Sequence, residues 1–261
     1  MAEPAIEPIH QFRIYDLFNF GTFGGDGTTG GFHIGFTNSA LFMVLILAVV
    51  LGFLLIGSRR RAIVPGRMQL MTEMSYEFIA NLVRSTAGTE GMKFLPFVFA
   101  LFMFILVANL FGMFPYFFTV TSHLIITAAM AVTVFLTVII YGFYRHGLKF
   151  LKVFVPSGVP FALLILLVPI EIISFFTRLV SLSVRLFANM LAGHTMLAVF
   201  AGFVVMLGAA GGILSILSIG PMLMIVAIML LELLVAFLQA YVFAILTCIY
   251  LNEALHLHDQ H

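Results

Sequence analysis

The chain has 261 residues, of which 62% are hydrophobic and only 9% charged, too few charges to cover a globular surface. Its formal net charge is +1 and no basic cluster is interleaved with aromatics, which argues against a nucleic-acid partner. The apolar runs are continuous rather than alternating, and several exceed the roughly 20 residues that cross a bilayer as a helix, so the composition argues for a polytopic helical membrane protein and against a β-barrel.

In chain order, residues 1–37 are polar and glycine-rich and read as an outer tail or short cap. Glu3 and Glu7 stand where a signal peptide would be basic, and no apolar stretch follows at once, so this is not expected to be a cleavable signal. His10 lies in a stretch that reads as an interfacial turn. Residues 39–57 form the first span. It stops at Ser58-Arg59-Arg60-Arg61, followed by Arg67, and such a basic cluster marks the cytoplasmic or matrix side, which puts the N-terminus outside.

Residues 68–88 are amphipathic. Met71, Met74, Phe78 and Leu82 share one helical face, and Glu73, Glu77, Asn81 and Arg84 another. The pattern predicts a helix on the inner surface whose polar face, not mainly basic, suits docking to a partner at least as well as attraction to anionic lipid. Residues 94–114 form the second span, with Asn109 near its outer end, and Gly112 and Pro115 mark its exit. An outer loop carrying His123 leads into the third span, 124–144, which ends at Arg145, His146, Lys149 and Lys152. Both inner loops are basic and the outer one has no Lys or Arg, so the topology is self-consistent. Asn109 and His123 read either as interfacial hydrogen-bonding groups or as lining of a polar path.

Residues 159–251 are almost unbroken apolar helix-formers. The stretch before the Gly208, Gly211 and Gly212 cluster is too long for one perpendicular span and too charged for two ordinary ones. It predicts a strongly tilted or partly broken helix near Pro169, then a turn near 208–220 and a last helix entered at Pro221. Residues 252–261 form a polar inner tail whose His256, His258 and His261 read as a solvated end rather than a metal site. Cys248, the only cysteine, lies in an apolar run and reads as a small core residue. The fold class is therefore all-α, a single membrane domain over 1–261. It comprises about five embedded helices, including a tilted C-terminal hairpin, and one interfacial helix.

The hairpin carries charges that each cost about 3 kcal/mol near a bilayer centre on insertion scales. Ser181, Arg185 and Asn189 are spaced by four, and Glu171, Arg178 and Arg185 by seven, so these five form one helical stripe; His194 points elsewhere. On the last helix Glu232 and Gln239 are also seven apart. The sequence midpoint between Arg185 and Gln239, and that between His194 and Glu232, both fall at the Gly211–Gly212 turn. An antiparallel hairpin thus sets Arg185 level with Gln239 and His194 level with Glu232. A guanidinium stays protonated, so Arg185 is a fixed cation that can lower the pKa of a carboxyl brought near it. Histidine and glutamate can both titrate near neutrality when perturbed. A His194–Glu232 pair suits a proton inlet and Glu171 an outlet. Arg178 and Ser181 read as interhelical ties or as outlet lining. Glu171 and Glu232 are the only acids expected at membrane depth, which leaves Arg185 without an evident partner inside the chain.

Ser181–His194 (SLSVRLFANMLAGH), Leu231–Leu251 (LELLVAFLQAYVFAILTCIYL), Asn109–Tyr116 and Thr121–His123 resemble the a subunits of F-type ATP synthases, over most of the chain from about Ile9. That resemblance implies a rotary stator without a catalytic site of its own, facing a ring of c subunits, held by b-type peripheral-stalk subunits and binding no cofactor. By it, Arg185 matches the arginine opposite the ring carboxylate, Asn189 and Gln239 its polar neighbours, His194 and Glu232 the inlet pair, and Glu171 an exit-side acid near Arg178 and Ser181. The acid and histidine of the inlet are exchanged between helices relative to many bacterial members, as in mitochondrial and related members. The membrane implied is a bacterial inner membrane or the mitochondrial one, with the C-terminus on the cytoplasmic or matrix side. The competing class is a secondary transporter or channel for a small ion, which predicts internal repeats that the sequence does not display.

Overall fold

The computed structural model describes residues 16–23, 32–59, 65–114, 117–147, 150 and 161–255. The expectations for His10, for the far end of the basic cluster at 60–61, for Lys149 and Lys152, and for the three C-terminal histidines lie outside these residues.

A strand, β1 (Asp16–Phe23), pairs antiparallel with β2 (Phe32–Thr37), Asp16 opposite Thr37 and Phe23 opposite Phe32. This hairpin lies where the sequence reads as a polar tail. The glycine-rich stretch between the strands has the composition of a turn, and the alternation on either side is too short to register as strand. Helix α1 (Asn38–Ser58) follows directly, its first turn capped by Thr37, whose Oγ1 accepts from the Ala40 amide at 3.2 Å. Then come α2 (Arg67–Gly91), broken by a positive φ of 68° at Gly88, α3 (Leu95–Gly112) with Pro96 in its first turn, and α4 (Leu124–His146).

Helix α5 (Phe161–Ala210) runs 50 residues, about 75 Å at the helical rise, and continues through Pro169. Gly211 and Gly212 adopt positive φ of 69° and 62°, a backbone that L side chains resist, and so end it. A short α6 (Gly212–Leu217) fills the turn before α7 (Ile219–Leu255). Helix α7 thus extends past Leu251, and Asn252–Leu255 belong to it rather than to a tail.

Among the described residues five helices are long and apolar enough to cross a membrane, and the chain is an all-α polytopic membrane protein. Large apolar side chains such as Val44, Leu55, Ile165, Leu166, Leu223 and Leu230 stay exposed on the helices' outer faces, as a bilayer requires and water would not allow.

The centre of the bundle is α7, which packs against α2, α3, α4 and α5. Ala236, Ala240, Ala244 and Cys248 recur every four residues and are fully buried, a ridge of small side chains that lets neighbouring backbones approach. Phe243 and Leu251 beside it meet Ile79, Val83, Val98, Phe102 and Ile105 of α2 and α3 in one apolar cluster. The α2 face that packs is therefore Ile79, Leu82, Val83 and Ala87. Met71 and Met74, on the apolar face that periodicity marks, are 56% and 60% exposed. A fixed tie joins α2 to α4, where the Arg145 guanidinium donates to the Glu90 carboxylate.

The small-residue ridge has a direct test. Ala240→Leu inserts three carbons into a fully packed seam and is expected to destabilise the bundle by about 1–3 kcal/mol. This reads out as a lower thermal inactivation temperature of the solubilised protein. An unchanged temperature would show that the seam is not closely packed.

Candidate functional site

Two clefts flank different levels of α5. The first, of ≈ 350 Å³, is lined by His194 and Ala198 of α5, Met229 of α7, and Gly112, Phe117 and Thr119 at and after the end of α3. The second, of ≈ 600 Å³, is lined by Arg178, Ser181 and Arg185 of α5 and by Tyr250 and Glu253 of α7. His194 and Arg178 are separated by about 24 Å along the helix axis, so the clefts are offset rather than continuous.

At the first cleft, His194 Nε2 lies 3.5 Å from Glu232 Oε1, with side chains only 11% and 4% exposed. The α5–α7 hairpin brings them together, and the turn glycines set that register. Close approach of the two helices completes it. A Cβ on Gly193 would stand 2.8 Å from Glu232 Oε1, so any side chain there would displace the carboxylate. His194 Nε2 is also 3.3 Å from Thr119 Oγ1, in the segment between α3 and α4.

At the second cleft, Arg178 Nη1 donates to Glu253 Oε1 and Oε2 at 3.2 and 3.4 Å, and its Nη2 stands 4.0 Å from Glu171 Oε1. Glu253 corrects the expectation that Glu171 and Glu232 are the only acids at this depth. The signal for it lies in the last helix itself. Extending the seven-residue step from Glu232 through Gln239 lands on Leu246 and then Glu253. Ending the helix at Leu251 conceals it.

From the second cleft toward the level of the first, the stripe of Ser181, Arg185 and Asn189 runs along a side of α5 where Ser181 and Arg185 are exposed and Asn189 is partly buried. Among the described residues Arg185 makes no ion pair. Gln239 is 6% exposed, and its Nε2 has no partner among the described residues. No hydrogen bond joins it to Arg185, so the structure does not link the pair that the register sets level.

Asn109 is fully buried and donates through Nδ2 to the Ala236 carbonyl at 3.3 Å, tying α3 to α7, while its Oδ1 stays without a partner among the described residues. His123 caps the start of α4 and stacks on Phe118 with ring centroids 4.9 Å apart; burial lowers its pKa from the ordinary histidine value. Neither side chain lines the cleft that holds His194. Thr119, which does, carries no spacing signal in the sequence, because it lies in an irregular segment with no period to place it.

The fold and site together define a polytopic membrane protein whose longest helix pair holds one buried acid–histidine pair, one arginine–carboxylate cluster and one exposed arginine between them. A match to the ATP synthase A chain family spans residues 40–252, and the chain belongs to that family. It is similar to the ATP synthase subunit a of Mesorhizobium japonicum, 59% identical over 98% of this chain and 99% of that one. It is likewise similar to the subunit a of a Chelativorans species, 58% identical over 97% and 98%, and of Rhodopseudomonas palustris, 58% over 96% and 98%.

Gly193 tests whether the helix approach sets the acid–histidine geometry. Gly193→Ala pushes the Glu232 carboxylate off His194 and is expected to lower ATP-driven proton pumping by assembled complexes roughly tenfold. Pumping at the parent level would show that the pair tolerates the displacement.

Proposed function

We propose that the chain is the stator of a proton-driven rotary motor, with the two clefts as offset half-channels at its interface with a ring of c subunits. The single observation that carries this reading is the exposed Arg185 guanidinium, without an ion pair among the described residues, lining the second cleft and about 14 Å along α5 from His194 at the first. A charge left without an ion pair on a membrane-spanning helix calls for a carboxylate from another chain. Twelve Lys and Arg against eleven Asp and Glu leave no acidic surplus in this chain to supply it.

Protons enter through the cleft at Glu232 and His194, with Asn189 toward the ring, and neutralise a ring carboxylate, which then enters lipid. Rotation carries it to the second cleft, where it releases its proton among Glu171, Glu253, Arg178 and Ser181. Arg185, which never deprotonates, holds the ionised ring carboxylate in passing and separates the half-channels, while Gln239 lies behind it on α7. The Arg178–Glu253–Glu171 cluster supports the outlet assignment, since its shared cation holds two acids at the mouth of an open cleft. Asn109 acts in this scheme as a tie between α3 and α7, and His123 as the cap of α4. The driving force is about 2.3 kcal/mol per charge per 100 mV.

The N-terminus faces outward and the C-terminus the cytoplasm, with the exposed part of α2 on the cytoplasmic side, where b-type stalk subunits dock. A bacterial inner membrane suits the organisms of the similar proteins.

Arg185→Ala is expected to abolish ATP-driven proton pumping in inverted vesicles, measured by quenching of a pH-sensitive dye; parent-level quenching would sink the mechanism. Exchanging the pair (His194→Glu with Glu232→His) is expected to retain more pumping than either single change. Equal loss in all three would separate the two residues functionally.

A further inference from the structure

Thr119 belongs to no helix, yet it reaches the centre of the acid–histidine cleft. It is 4% exposed, with an extended backbone (φ −81°, ψ 96°) that opens the single turn Val120–Ser122. Its carbonyl is fixed twice, accepting from Ser122 Oγ at 2.6 Å and from the Ser122 amide at 3.2 Å. Its methyl is also held, for a Cβ on Gly112 would fall 2.7 Å from Thr119 Cγ2, so the methyl lies directly over the end of α3. With backbone and methyl pinned, the hydroxyl has one direction left, and it stands 3.3 Å from His194 Nε2. The same nitrogen faces Glu232 Oε1 at 3.5 Å.

We infer that Thr119 is a positioning residue for His194, whose hydroxyl holds Nε2 toward Glu232 in both protonation states of the imidazole. The chemistry follows from what each group can do. A histidine nitrogen that passes a proton to a neighbouring carboxylate alternates between donor and acceptor. A fixed partner such as a backbone carbonyl or an ammonium satisfies only one of those states. A hydroxyl carries one O–H and two lone pairs, so it donates to the bare nitrogen and accepts from the protonated one by rotation of its hydrogen alone. The ring then keeps its plane through the cycle, and the heavy atoms need not move between proton arrival and departure.

This inference rests on the inlet reading of His194 and Glu232, and the two fail differently. The methyl of Thr119 lies closer over Gly112 and only the hydroxyl can hydrogen-bond His194, so two near-isosteric changes separate packing from hydrogen bonding. Thr119→Val keeps the contact over Gly112 and removes the hydroxyl; Thr119→Ser keeps the hydroxyl and removes the methyl. The measurement is ATP-driven proton pumping by inverted vesicles, normalised to assembled complex, with Glu232→Gln alongside. Thr119→Val is expected to lose on the order of tenfold, the worth of one hydrogen bond at a transfer step. Thr119→Ser is expected to stay within about twofold of the parent. In a His194→Ala background, Thr119→Val is expected to cause no further loss.

Val at parent level, Ser as poor as Val, or a further loss in the His194→Ala background would each overturn the Thr119 assignment while an impaired Glu232→Gln leaves the inlet reading standing. Parent-level pumping by Glu232→Gln would overturn the inlet reading and this inference with it. If the Val protein does not assemble, Thr119→Ala is the second hydroxyl-free arm. Failure of both to assemble beside an assembled Ser protein would assign the hydroxyl to folding and overturn the inference.

Discussion

The close approach of α5 and α7 is the constraint on which the site depends. Two long apolar helices gain little from each other in lipid beyond packing, so what fixes their relative position must be steric and polar. Here it is both. Gly211 and Gly212 reverse the chain through backbone angles that other residues resist, and Gly193 leaves the space that the Glu232 carboxylate fills. The acid is thereby carried into the bundle on one helix and met by an imidazole from the other. The small-residue ridge of α7, which continues the four-residue step from Glu232, packs that helix into the bundle.

Along α5 the same physical problem, charge in an apolar setting, is solved in three ways. His194 meets one carboxylate and a hydroxyl, with the imidazole and the carboxylate largely buried. Arg178 is held by a two-pronged contact to Glu253 and a longer one to Glu171, beside an open cleft. Arg185 remains exposed on a face flanked by apolar side chains such as Val184. A purely structural set of charges would be expected to close on itself, because a cation left bare in a bilayer costs more than one that is paired. His194 beside Glu232 and Arg178 on Glu253 show that the helix pair can bring opposite groups together where its register allows. In the proposed scheme the bare middle is the part of the helix presented to the ring.

Much of this was legible before the coordinates, for reasons that can be named. The register between His194 and Glu232 followed from counting outward from two glycines, because helical rise is constant and a tight turn leaves little slack. The stripe from Glu171 to Asn189 followed from helical periodicity. Glu253 was legible in the same way, but apolar content was used to end the helix, and a helix can run past its apolar part when a charged residue there finds a partner, as Glu253 finds Arg178. Periodicity marks the apolar face of α2 without saying which of its turns are covered within the chain, and Met71 and Met74 stay exposed. Thr119 and the β1–β2 hairpin lie in segments with no sustained period, where side-chain direction depends on contacts distant in sequence.

That difference bears on how the site is built. The residues on α5 and α7 are placed by regular geometry, which fixes position along an axis well and rotation of a flat ring poorly. An imidazole on a helix can turn about its own side-chain bonds without any change in backbone, so register alone brings His194 beside Glu232 but does not aim its nitrogen. The segment after α3 is irregular, twice tied at the Thr119 carbonyl and braced at its methyl, and it approaches the ring from a direction neither helix offers. The helices set the distance between acid and base, and the loop sets the angle. A proton path through apolar surroundings needs both, since a transfer distance favourable in one ring orientation is lost in the next.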